Sequence, residues 1–145
     1  MRVLIFFFIL TVGLFTYAWV WVNEKPVHEP LFGITFSSLY ASNLGLDVLE
    51  TYETLVSDLG VLNVRLPLYW SDIEKSPGEF DWTMPDQLVA YSELNDVAIT
   101  MVVGMKVPRW PECYVPDWAE GLDETDRQLA VLSYLKEAVN RYKDS

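Results

Sequence analysis

The sequence predicts an α/β protein whose elements alternate β-α-β-α-β-α, and three observations predict it. Apolar runs at residues 31–37, 62–66 and 98–105 have the length of strands. The segments between them carry apolar residues at helical spacing and are long enough to be crossovers, which makes the strands parallel. The third run, Ala98 to Met105, is apolar on both faces, as a strand of a helix-covered parallel sheet is.

An amino-terminal segment precedes these elements. Arg2 is followed by an apolar run from Val3 to Val22, and the first charges after it are Glu24 and Lys25. At about 1.5 Å per residue such a run matches the roughly 30 Å hydrocarbon core of a bilayer. Tyr17, Trp19 and Trp21 sit at its far end, as an interfacial aromatic belt does. The expectation is a transmembrane helix over residues 1–22, with the following domain membrane-anchored and extracytoplasmic. The rival is a cleaved signal peptide, with Thr16-Tyr17-Ala18 as a weak cut site and a secreted product. A buried core helix is disfavoured because the run has no polar face. Residues 23–30 read as a Pro-flanked linker and 31–145 as the folding part.

Each later element has a local cause. Leu31 to Ser37 reads as the first strand. Asp47 opens a helix in which Val48, Tyr52, Leu55, Val56 and Leu59 recur at helical spacing, and Gly60 stops it. In the second strand Leu62, Val64 and Leu66 share one face, and Asn63 and Arg65 the other. Ser76-Pro77-Gly78-Glu79 has the signature of a type II turn. Thr83 and Asp86 resemble a capping box for the second helix, with Leu88, Tyr91 and Leu94 as its inner stripe and Asn95-Asp96 in place of a terminal glycine. Asp123 or Thr125 caps the last helix, whose stripe is Leu129, Leu132, Leu135, Val139 and Tyr142.

Composition narrows the chemistry. The chain of 145 residues carries 21 acidic and 10 basic side chains, a net charge of -11, which argues against nucleic-acid binding. Cys113 is the one cysteine, so no intrachain disulfide can form and no Cys/His zinc pattern exists; His28, the one histidine, lies in the Pro-flanked linker and reads as a spacer, which leaves Ser-His-Asp and Cys-His chemistry almost without support. No cofactor or metal is expected. Carboxylates are the remaining agents of chemistry. Three parallel strands leave two bare edges, so a larger doubly wound sheet or a closed barrel is implied. No glycine-rich phosphate turn follows the first strand, and the loops after strands two and three are long and aromatic, which favours the barrel.

At Arg65 the sequence reaches a recognisable pattern. Val64-Arg65-Leu66-Pro67-Leu68-Tyr69-Trp70-Ser71-Asp72-Ile73-Glu74, continuing through Pro77-Gly78-Glu79-Phe80-Asp81-Trp82, resembles the second strand and loop of retaining glycoside hydrolases of the large (β/α)8 clan, which includes cellulase-like family 5 and family 42 β-galactosidases. Lys106-Val107-Pro108-Arg109-Trp110-Pro111-Glu112, with Pro116-Asp117-Trp118, resembles the third-strand loop of the same enzymes. The resemblance covers about Leu31 to Tyr142, the first three of eight βα units of a TIM barrel, here incomplete.

The resemblance implies retaining hydrolysis of a β-linked oligo- or polysaccharide. Arg65 matches the arginine that supports the nucleophile; beside a carboxylate, a guanidinium keeps it ionised. Trp70, Lys106, Arg109, Trp110 and Trp118 are candidate sugar contacts, whereas Trp82 reads as packing. Glu74, Glu79 and Glu112 are not assigned as catalytic. The family places its acid/base in an Asn-Glu pair ending strand four and its nucleophile on strand seven, and no Asn-Glu pair follows Trp118. The expectation is a fragment, inactive alone, that ends before the strand bearing the acid/base. Two alternatives stand beside it: a non-catalytic extracytoplasmic carbohydrate-binding or interaction module, and, more weakly, an unrelated exported βα enzyme such as a deacetylase.

Overall fold

A computed structural model describes residues 2–23, 31–107 and 112–144, and within the first helix the side chains of Ile5 and of residues 7–22. The described residues form α1 (Arg2–Asn23), β1 (Ile34–Thr35), α2 (Ser38–Asn43), α3 (Val48–Ser57), β2 (Asn63–Tyr69), α4 (Trp70–Ile73), α5 (Thr83–Leu94), β3 (Ala98–Gly104), α6 (Asp117–Glu120) and α7 (Glu124–Tyr142). The chain divides into two units, Met1–Leu31 and Phe32–Ser145.

The first unit corrects the expectation of a transmembrane helix. The apolar run is helical, and Thr11 and Thr16 satisfy their hydroxyls by donating to the carbonyls of Phe8 and Gly13. Among the described residues, however, no helix is long and apolar enough to cross a membrane.

The second unit is a three-stranded parallel sheet in the order β1-β2-β3. Each βαβ crossover is right-handed by the twist of strand and helix, so consecutive strands laid in one direction place their helices on one face. Val64, Leu66 and Leu68 of β2, with Ile99, Met101 and Val103 of β3, point to that face. They meet Tyr52 and Val56 of α3, Leu88 and Val89 of α5, and Tyr134, Ala138 and Tyr142 of α7. Fully burying one such aliphatic side chain contributes roughly 1.5–3 kcal/mol.

Several expected caps and turns are present. Asp47 and Asp123 accept the backbone N–H groups of Glu50 and Asp126 through their side chains. Gly78 has φ 77° and the Glu79 amide donates to the Ser76 carbonyl at 3.0 Å, as a type II turn requires. Asp96 takes the positive φ of 55° that ends α5. Gly33 lies so close to β2 that a Cβ there would sit 2.6 Å from the Asn63 carbonyl oxygen.

Other expectations are corrected. The first strand shrinks to Ile34–Thr35. The second runs through Pro67 to Tyr69, although proline removes a ladder donor. The Arg65 carbonyl accepts from the Phe36 amide, so Arg65 faces β1, and Pro67, two residues on, faces the same way. Since β1 stops at Thr35, the missing N–H falls beyond the end of the neighbouring ladder. The proposed capping box does not form: Asp81 caps the Thr83 amide, while Asp86 turns to α7. Leu94 is 83% exposed, and Leu129, Leu132, Leu135 and Val139 face outward. Helical spacing fits two faces of α7, and the larger Tyr134 and Tyr142 take the inner one.

Two polar contacts tie the helices together. Ser92 donates to the Leu88 carbonyl at 2.8 Å, so its oxygen accepts the Tyr52 hydroxyl at 2.6 Å, joining α5 to α3. The Asp86 carboxylate accepts from both Nε and a terminal nitrogen of Arg141, and from the Tyr142 hydroxyl at 2.8 Å, joining α5 to α7. Arg141 also lies over the Trp82 ring, 5.9 Å from its centroid.

The Arg141 hydrogen bond, helped by Tyr142, holds the Asp86 carboxyl below the usual carboxylate range against the opposing effect of burial. A depressed folded-state value stabilises the fold above the unfolded-state value. That contribution fades as pH falls through the folded one. The side chains are 43% and 39% exposed, so solvent screening limits the bidentate pair. We expect Asp86→Asn to cost about 1 kcal/mol at pH 7 and nothing at pH values well below about 4, checked by urea denaturation at both.

Candidate functional site

With α3, α5 and α7 on one face, none of these three covers the other face of the sheet among the described residues. Thr35, Arg65 and Thr100 lie side by side across the three strands, followed toward the carboxyl ends by the Pro67–Val102 row and by Tyr69 beside Gly104. Thr35 and Thr100 are exposed and Arg65 is half-buried. In a sheet, residues two apart share a face, so Arg65 and Tyr69 point the same way from the central strand.

The carboxyl ends of the strands are drawn together by tyrosines. The Tyr69 hydroxyl lies 2.6 Å from Ser37 Oγ, and Ser37 also caps α2 by accepting the Tyr40 amide. Tyr69 meets the Tyr114 ring edge-on at 4.7 Å. The Tyr114 amide donates to the Met105 carbonyl, and its hydroxyl donates to Glu112 Oε2 at 3.3 Å. Residues from all three post-strand segments thus converge at one rim. Sequence periodicity did not single out Ser37, Tyr69 or Tyr114, because their roles depend on contacts 32 or more residues apart.

The expected sugar contacts fall in different places. Trp70 is wholly buried: it stacks on Tyr134 at 6.1 Å, meets Trp118 edge-on at 5.7 Å, and offers no face to a ligand. Trp118 is half-buried and donates its indole N–H to the Glu74 carbonyl at 2.8 Å. Lys106 is exposed just past β3. Arg109 and Trp110 lie outside the described residues. Trp82 packs in the core, stacked between Phe80 and Tyr134.

Glu74 explains why this loop needs a carboxylate. It is 4% exposed, and Oε2 accepts the Trp70 indole N–H at 2.6 Å while Oε1 accepts the Gly78 amide at 2.8 Å. Both oxygens are therefore engaged in holding the turn against α4, which fits a structural role. No group of three or more His, Cys, Asp or Glu positioned for a metal exists among the described residues.

The Tyr134 hydroxyl differs from these groups. It is buried without a hydrogen-bond partner among the described residues, and burial pushes its pKa well up, so it remains neutral. Losing a satisfied acceptor and losing an unsatisfied donor have opposite costs. Glu74→Ala should destabilise the chain by about 2–4 kcal/mol, since it orphans two donors. Tyr134→Phe should stay within about 0.5 kcal/mol of the parent, and thermal unfolding of both variants checks the contrast.

No protein-family model matches this chain, and no curated protein matches it.

Proposed function

We propose that the face left open by α3, α5 and α7 and its tyrosine rim form part of a sugar cleft of the retaining glycoside hydrolase type, acting on β-linked carbohydrate. The observation that supports this most is the position of Arg65. It lies on the central strand with a threonine on each side, on the face that the helices leave open. A half-buried guanidinium there can hold a neighbouring carboxylate ionised, and the flanking hydroxyls suit a polyhydroxylated ligand.

The part of the reaction assigned to this chain is positioning and electrostatic support. Retaining hydrolysis needs two carboxylates about 5–5.5 Å apart, one as acid/base and one as nucleophile. Glu74 fits neither role, because both of its oxygens are engaged. That engagement also favours a second reading, in which the same face binds sugar without turning it over.

The test is an amide-shift titration of the chain with β-1,4-linked gluco-, manno- and galacto-oligosaccharides, beside an aryl-β-glycoside assay. We expect shifts at Thr35, Arg65, Tyr69 and Thr100 with one sugar, no turnover, and binding weakened about tenfold or more in Arg65→Met with circular dichroism kept. Turnover abolished by Arg65→Lys would favour hydrolysis within this chain over binding alone. Absence of shifts on this face at millimolar sugar would rule out both readings.

A further inference from the structure

Both edges of the sheet are open among the described residues, and their surroundings have opposite character. On one edge, β3 has β2 as its single neighbour, leaving its outer row of N–H and C=O groups unpaired. Beside it, a groove of about 570 Å³ between α5, β3 and α7 is lined by Ile99, Met101 and Val139 among others, with Glu93 of α5 and Lys143 as its charged residues. Val139 of that lining also belongs to the outward face of α7, where Leu129 and Leu132 are each 60% exposed and Val139 is 52% exposed. Lys136 and Lys143 fall on this same helical face, and from Gln128 onward no carboxylate does.

The other edge is β1, whose crossover to β2 is α3. From Leu44 to Leu62 the chain carries Asp47, Glu50, Glu53 and Asp58 and no basic residue. A second groove, of about 360 Å³, is lined by Leu46, Asp47, Glu50, Thr51, Thr54 and Leu55. It is apolar with acidic margins, where the α7 face is apolar with basic ones.

We propose that these surfaces bind each other between copies of this chain, the α7/β3 edge of one against the β1/α3 edge of the next. Such a contact is head-to-tail, so copies close into a ring or run on, according to the rotation between them. It covers the exposed leucines and sets Lys136 and Lys143 against Asp47 and Glu50. A two-fold contact of α7 with α7 would bring lysines together, which charge disfavours. The net charge of -11 repels copies in general. A locally basic apolar face on such a chain is therefore matched to an acidic one.

Sedimentation velocity of the full chain over a range of concentrations tests this. The parent should associate, and Leu132→Asp with Val139→Asp, both at exposed positions, should weaken association about tenfold or more. Lys136→Glu and Glu50→Lys should each weaken it alone, and the two together in one chain should restore it. Any of three results would overturn the proposal: a parent that stays monomeric, association that survives the α7 substitutions (as it would through α1), or a Glu50→Lys variant that associates like the parent.

Discussion

The handedness of the βαβ crossover is the constraint on which the rest of the second unit depends. Because strands laid down in the order β1-β2-β3 place the crossover helices α3 and α5 on one side, and α7 packs on that same side, the sheet has one face covered by these helices and one that they leave open. The packed face takes Val64, Leu66 and Leu68; the alternating residues Arg65, Pro67 and Tyr69 are left to the other, where Arg65 is half-buried and Pro67 and Tyr69 are buried. A single-residue slip of β2 would exchange the two sets, burying a guanidinium against Tyr52 and Leu88. The apolar core therefore fixes where Arg65 points.

The loops are held by aromatic side chains with one polar anchor. Trp70, Tyr134, Trp82 and Phe80 form a run of stacked rings behind the sheet, and Tyr142 meets Trp82 edge-on. Each ring brings a large apolar area, and the indoles of Trp70 and of Trp118, which meets it edge-on, bring N–H groups that must be satisfied when covered. Glu74 satisfies both, one through its carboxylate and the other through its carbonyl. Its second oxygen reaches the Gly78 amide and fixes the turn. This division of labour gives the abundance of tryptophan in these loops a structural cause.

How much of this was legible in the sequence depends on the range of the interaction. Features set within a few residues were readable: the Asp47 and Asp123 caps, the Gly78 turn, the positive φ at Asp96 and the parallel β-α alternation. Features set by distant partners were not. Asp86 has the spacing of a capping residue, but an arginine 55 residues away offers two charge-assisted bonds where an amide offers one. The apolar positions of α7 satisfy helical spacing on two faces, and only the room beside Trp70 and Trp82 decides between them. At the site, Arg65 was legible as a residue of the second strand facing away from Val64 and Leu66. The Ser37–Tyr69–Tyr114 rim was not, since three separate segments must meet before it exists.

That asymmetry bears on how the open face and the bare edges relate. A packed face is satisfied by the helices beside it, whereas an edge strand presents a row of backbone groups ready to pair with another strand. In β3 those groups lie beside Ile99, Met101 and Val103, an apolar row that α5 and α7 cover incompletely. In a chain of such acidity, leaving an apolar face with two lysines and no carboxylate on α7 costs solubility without helping the internal core. A match of charge within the chain appears at Arg141 of α7, which pairs with Asp86 of α5. Basic side chains on this helix are thus placed where an acid meets them, within the chain at Arg141 and, on the outward face, across to a neighbour.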